Sequence, residues 1–141
     1  MIRKQRAAKH EPSEHDSQRT VCDWWRIACN GYGLPEFALM AVPNGAHLAG
    51  DAKGRAIKMA NLKRTGLRPG VPDLFLAVPK VDKVVPELPF PGLWIEMKKR
   101  PNKPSPEQEA VILYLRQRGY HVCICYSAEE AIRAISAYLK N

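Results

Sequence analysis

An α/β fold, with a mixed central sheet flanked by helices, is what this sequence predicts, and three observations carry that reading. Apolar residues recur at helical spacing near both ends, at Val21, Trp24, Trp25, Ala28 and Cys29 and again at Ala131, Ile132, Ile135, Tyr138 and Leu139. Between them lie short apolar runs bounded by Gly and Pro, the pattern of buried strands. Two of those runs are interrupted by ionisable residues, Asp73 at the head of one and Glu96 and Lys98 inside the other. Such groups are costly to bury unless they are paired or bound to metal, so they mark a site as well as a sheet.

The elements follow in order. Residues 1–12 carry Arg3, Lys4, Arg6 and Lys9 against Glu11 and have no periodicity, which reads as a disordered basic arm ahead of a single domain over 13–141. A helix begins at Ser13 and is stopped by Gly31 and Gly33. The run 37–42 is a short buried strand closed by the turn Pro43-Asn44-Gly45. A short helix is expected around Arg55–Arg64, ended by Gly66 and Pro69-Gly70. Strands follow at 73–78 and 93–98, joined by a Pro-rich surface connection from Pro79 to Pro91. Ser105-Pro106-Glu107-Gln108 opens a helix with a Ser cap, Pro in the first turn and Gln three residues on; Val111, Ile112 and Leu115 continue it to Gly119. The last strand spans 120–126, and Ser127-Ala128-Glu129-Glu130 is a second capping box opening the last helix. The expected order is helix, three strands, helix, strand and a C-terminal helix.

Composition narrows the function. The chain has 141 residues, enough for one domain with its own core, and 22 Lys+Arg against 14 Asp+Glu give a formal charge of +8. That balance suits a polyanion, and nucleic acid comes before a membrane because no amphipathic basic helix stands out. The bland alternative is a generic cationic surface. No apolar run approaches a membrane span, and the polar start lacks the apolar core of a secretory signal. Cys22, Cys29, Cys123 and Cys125 lack zinc-site spacing and read as free, buried thiols of a reducing cytoplasm. His10, His15, His47 and His121 form no ligand pair, though His47 follows the Asn44-Gly45 turn and could face DNA.

The chemistry of the ionisable residues is specific. Strand alternation puts Glu96 and Lys98 on one face, and Asp73 from a neighbouring strand can join them. Two carboxylates suit a hard cation such as Mg²⁺, with Mn²⁺ as substitute, and an adjacent ammonium can hold a water or offset charge on a phosphorane. Taken singly, Asp73 also reads as a turn acid and Lys98 as a surface lysine. Lys53, Arg55, Lys58, Lys63, Arg64 and Arg68 precede the Asp73 strand with only Asp51 opposing them, a candidate phosphate-binding surface that Lys99 and Arg100 extend. Trp24 and Trp25 read as packing of the first helix rather than base-stacking platforms.

The pattern Pro72-Asp73, a spacer, then Glu96-Met97-Lys98 resembles the PD-(D/E)xK nuclease superfamily. The flanks Pro43-Asn44-Gly45, Gly66 to Leu74, Gly92 to Lys98, Ser105 to Gln108 and Gly119-Tyr120 are similar to its VRR-NUC branch, in the compact stand-alone form found in phages and bacteria. The resemblance implies a restriction-endonuclease-like core and a Mg²⁺-dependent DNA endonuclease selective for branched DNA, such as four-way junctions or flaps. It implies a homodimer, no organic cofactor and a cytoplasmic location in a bacterial cell or phage-infected host. It also implies the main-chain carbonyl of Met97 as a third metal ligand, Glu14 as the glutamate of the first helix near the metal, and Gln108 as a glutamine approaching the site. Locally, Glu14 is equally a first-turn acid favoured by the helix dipole, and Gln108 a cap of its own helix. The competing readings are a sequence-specific restriction-type nuclease on the same core and a non-catalytic junction-binding protein.

Overall fold

The computed structural model describes residues 10–43, 48–81 and 89–140. Eight elements build the fold: α1 (Glu14–Ala28), β1 (Leu39–Ala41), α2 (Ala52–Arg64), β2 (Leu74–Leu76), β3 (Leu93–Met97), α3 (Pro106–Gln117), β4 (His121–Cys125) and α4 (Ala128–Leu139). The strands form one sheet in the order β1-β2-β3-β4, with the first two pairings antiparallel and β3–β4 parallel. The expected mixed sheet is therefore present. The parallel pair is joined through α3, because parallel neighbours need a crossover long enough to return the chain to the same end.

Alternation along β3 divides the core. Leu93, Ile95 and Met97 are buried with Leu74 and Leu76 against α1 and α4, which contribute Val21, Trp25, Ala131, Ile135 and Tyr138. The opposite face carries Trp94 and the smaller cluster of Ile112, Leu115 and Val122 beneath α3. Phe75 packs against Trp94 with the rings tilted by 33° and centroids 4.5 Å apart, and Gly92 leaves the space for it: a Cβ there would lie 2.5 Å from the Phe75 ring. Trp25 is 1% exposed and donates Nε1–H to the Glu36 carbonyl at 2.8 Å, so it is a core residue with its polar edge satisfied.

Several expectations need correction. The short helix expected around Arg55–Arg64 is α2, between β1 and β2, an element that the expected order of helix, three strands, helix, strand and helix leaves out. The strands are shorter than their apolar runs: β1 and β2 keep three residues each, since Phe37 and Ala38 lie in a 3-10 turn and Ala77 and Val78 follow the last β1–β2 register pair. The Ser127 box is only half formed. Ser127 Oγ accepts from Glu130 N–H at 3.1 Å, but the Glu130 carboxylate reaches past the cap to accept the Tyr126 N–H at 2.7 Å. All four cysteines are free, but Cys22 and Cys123 are only half-buried. The turn at Asn44-Gly45, His47 and the arm residues Arg3, Lys4, Arg6 and Lys9 lie outside the described residues, as does 82–88 of the Pro-rich connection.

Candidate active site

The antiparallel pairing of β2 with β3 brings the start of one strand to the end of the other. Asp73, just ahead of β2, is thereby opposite Met97, and its Oδ2 accepts the Met97 N–H at 2.8 Å. Glu96 points to the α3 face and is 2% exposed. Gln108, in the first turn of α3, donates Nε2–H to Glu96 Oε1 at 2.6 Å. Lys98 Nζ lies 3.4 Å from the same oxygen with its side chain 11% exposed. Glu14 closes the group from α1, its Oε1 accepting the Lys99 N–H at 3.0 Å. The five predicted catalytic residues thus meet at one end of the sheet, each brought by a different contact.

The electrostatics are those of crowded carboxyl groups withdrawn from water. Burial pushes the Glu96 carboxyl up to about 7, with the neighbouring Asp73 and Glu14 charges adding and Lys98 opposing. Asp73 is raised too, first by burial and then by Glu14, while the Met97 N–H and Lys98 pull it down. Glu96 Oε2 is buried and has no hydrogen-bond partner. A buried carboxylate oxygen left unpaired beside a second carboxylate is unfavourable unless a proton or a cation fills the place. Among the described residues no three His, Cys, Asp or Glu side chains cluster tightly enough to cage an ion. The Asp73 and Glu96 carboxylates are hard oxygen donors, which fit Mg²⁺, an ion that dehydrates reluctantly and usually keeps several waters beside one or two carboxylates.

A cleft of about 500 Å³ opens beside this group, walled by Lys98, Lys99, Arg100, Thr20, Tyr126 and Ser127. Arg100 is partly committed there: its guanidinium stacks over the Tyr126 ring at 4.3 Å and lies 3.6 Å from Glu130 Oε1. In the sequence Tyr126 signals only the end of a strand and Glu130 only a helix cap, so neither marks this cleft by a local pattern. The six basic residues of the 53–68 stretch divide. Arg55 donates to the Gly50 carbonyl at 2.6 Å, Lys58 to the Ala49 carbonyl at 2.8 Å, and Arg68 to the Lys63 and Leu67 carbonyls at 2.9 and 3.1 Å.

This fold has known counterparts. Residues 13–129 match the VRR-NUC domain. The chain belongs to that nuclease-type family. A solved structure described as a VRR_NUC domain protein matches with a TM-score of 0.70 at 22% identity, over 92% of this chain and 90% of that one. At that identity the likeness speaks for the fold. No curated protein matches the chain. Membership of the VRR-NUC family places Asp73, Glu96 and Lys98 within a nuclease-type domain, and their geometry can be read for what they would do.

Proposed function

We propose that this VRR-NUC protein hydrolyses DNA phosphodiester bonds with Mg²⁺ or Mn²⁺, acting on branched DNA such as four-way junctions or flaps. The observation that carries the reading is the buried, unpartnered Glu96 Oε2 beside Asp73. Asp73, Glu96 and the Met97 carbonyl would hold the ion, with Glu14 nearby. When bound, it would supply Lewis-acid polarisation of the phosphate and make water available as a nucleophile near neutral pH.

The chain's own groups have separable tasks. Lys98 holds an ammonium at the carboxylate pair, where it can orient the attacking water and offset charge on the phosphoryl oxygens. Gln108 fixes Glu96 through Oε1, so Oε2 stays the open donor. Glu14, tied to the Lys99 amide, holds the segment after β3 against α1. The +8 charge suits a polyanionic substrate. A homodimer would offer two such sites to the two strands of a symmetric junction, which is the physical purpose of the proposed two-fold assembly.

The test is cleavage of a labelled four-way junction and of a linear duplex of matching sequence, with Mg²⁺ and with EDTA, by wild type, Asp73→Ala and Lys98→Ala. Paired cuts confined to the junction, abolished by EDTA and by both substitutions while binding persists, are expected. Tight binding without cutting under any divalent ion would overturn the enzyme reading; equal cutting of the linear duplex at one sequence would overturn the preference for branches.

A further inference from the structure

Helix α2 has no buried residue, and its apolar side chains do not gather on one face. Ile57 is 54% exposed, while Met59 and Leu62, neighbours one turn apart on the side away from it, are only half-buried. A helix that buries none of its residues, and is near the ~12–15 residue limit below which isolated helices are marginal in water, needs support from elsewhere. Part of it is local. Asp51 caps the first turn by accepting the Gly54 N–H at 2.7 Å, and Thr65 Oγ1 donates to the Leu62 carbonyl at 3.0 Å. Arg55 and Lys58 turn back to the entry-loop carbonyls, and Arg68 to those at the exit. These three cations hold the shape of the excursion.

The other three are free to meet something. Lys53, Lys63 and Arg64 are exposed and make no hydrogen bond or ion pair among the described residues. At about 100° per residue they fall within an arc of about 100° on one side of α2, with Ala56, Ile57 and Ala60 on that same side. The range Ala52–Arg64 contains no acidic residue. A cationic face with Ala56 and Ala60 between its charges, and Ile57 at its edge, suits close approach to a polyanion backbone. A second copy of the chain does not suit it, because a two-fold contact through this face would set the same cations against themselves.

We propose that the outward face of α2 docks on the sugar-phosphate backbone of a nucleic-acid duplex through Lys53, Lys63 and Arg64, with Arg55, Lys58 and Arg68 acting only to hold the helix in place. The proposal rests on the nuclease reading, since α2 runs through Thr65–Pro72 directly into Asp73, and it gives that reading a substrate handle outside the carboxylate group. Each phosphate contact contributes about 0.9 to the slope of log K against log salt.

The experiment measures binding of the 141-residue chain to labelled duplex and four-way junction in EDTA over a salt series, with helix content and sedimentation recorded in parallel. The triple variant Lys53→Ala, Lys63→Ala, Arg64→Ala is expected to keep its helix content, because Ala favours helix, and to lose about 2.7 from the salt slope. Arg55→Ala with Lys58→Ala is expected to lower helix content instead. Wild-type binding with an unchanged slope in the triple variant would overturn the docking while leaving the nuclease reading intact. The same holds if the triple variant changes only the oligomeric state. No binding of either DNA by wild type would overturn both.

Discussion

Gln108 joins two jobs in one amide: Nε2 donates to Glu96 Oε1 at 2.6 Å, while Oε1 accepts the Ser105 N–H at 2.9 Å. The cap that starts α3 and the orientation of the buried carboxylate are therefore one arrangement. The helix end sets the site.

That coupling can be separated by substitution. Gln108→Ala removes both bonds, with an expected loss of about 1–2 kcal/mol in stability and of roughly 10-fold or more in Mg²⁺-limited cleavage. Gln108→Glu keeps an acceptor for Ser105 but sets a second carboxylate against Glu96. It is expected to fold nearly as well as wild type and to need more Mg²⁺ for half-maximal rate. Urea unfolding and rates over a Mg²⁺ series check this; equal Mg²⁺ response in all three proteins would refute the coupling.

The Glu96 carboxyl gives stability a pH dependence whose sign is fixed. Its ordinary value of 4.5 is raised to about 7 in the fold, so through that window the folded chain holds a proton the unfolded chain releases. Stability without metal therefore falls as pH rises across the window, by about 3 kcal/mol at most. Saturating Mg²⁺ is expected to restore stability at the alkaline end by binding the folded state alone. Glu96→Gln should flatten the dependence in EDTA and abolish cleavage. Unfolding midpoints from about pH 5 to about pH 8 decide it, and a wild-type profile that rises across the window would count against a buried carboxyl here.

Much of this was legible in the sequence because it is written in local rules. The Ser105 box, the alternation of Leu93, Ile95 and Met97 against Trp94 and Glu96, and the helical spacing of Val21 and Trp25 each have a short-range signature. The grouping of Asp73, Glu96 and Lys98 follows from strand alternation, Glu14 and Gln108 are added by the family resemblance, and the fold brings all five together. Other features were hidden because they depend on partners distant in sequence or on competing acceptors. A Glu three residues after Ser127 predicts a reciprocal cap, yet the Tyr126 amide takes its carboxylate. Six basic residues look alike in a sequence; only the main-chain carbonyls at Ala49, Gly50, Lys63 and Leu67 distinguish the three that are spoken for. Apolar runs overstate strands, because β1 and β2 pair over only three residues.

Gly70 is a contact point between the turn before Asp73 and the start of α3. It sits at φ +88°, and a Cβ there would lie 2.7 Å from the Glu107 carbonyl oxygen and 3.0 Å from the Gln108 nitrogen. Gly70→Ala combines an unfavourable backbone conformation with a clash against main chain that cannot rotate away. The expected cost is about 2 kcal/mol or more, with cleavage reduced because the Gln108 turn is displaced from Glu96. Gly119 provides the control: its φ is +89° but nothing lies within 4 Å of the added Cβ. Gly119→Ala should cost about 1 kcal/mol and leave the rate unchanged. Thermal unfolding with cleavage assays on both variants separates strain from displacement.

Lys98 is the cation nearest the orphaned carboxylate, and its removal should act on chemistry more than on binding. Lys98→Ala leaves Glu96 with Gln108 as its remaining side-chain partner, so the carboxyl is expected to hold its proton to still higher pH in metal-free protein. Without the ammonium, charge on the phosphoryl oxygens goes unmatched, and cleavage should fall by at least about 100-fold. Duplex affinity in EDTA should change by less than about tenfold, since one cation among many accounts for little of the salt-dependent term. Single-turnover cleavage beside equilibrium binding tests this. A Lys98→Ala protein that cuts at the wild-type rate would assign the ammonium to ion pairing alone, and a parallel collapse of binding would make it a substrate contact instead.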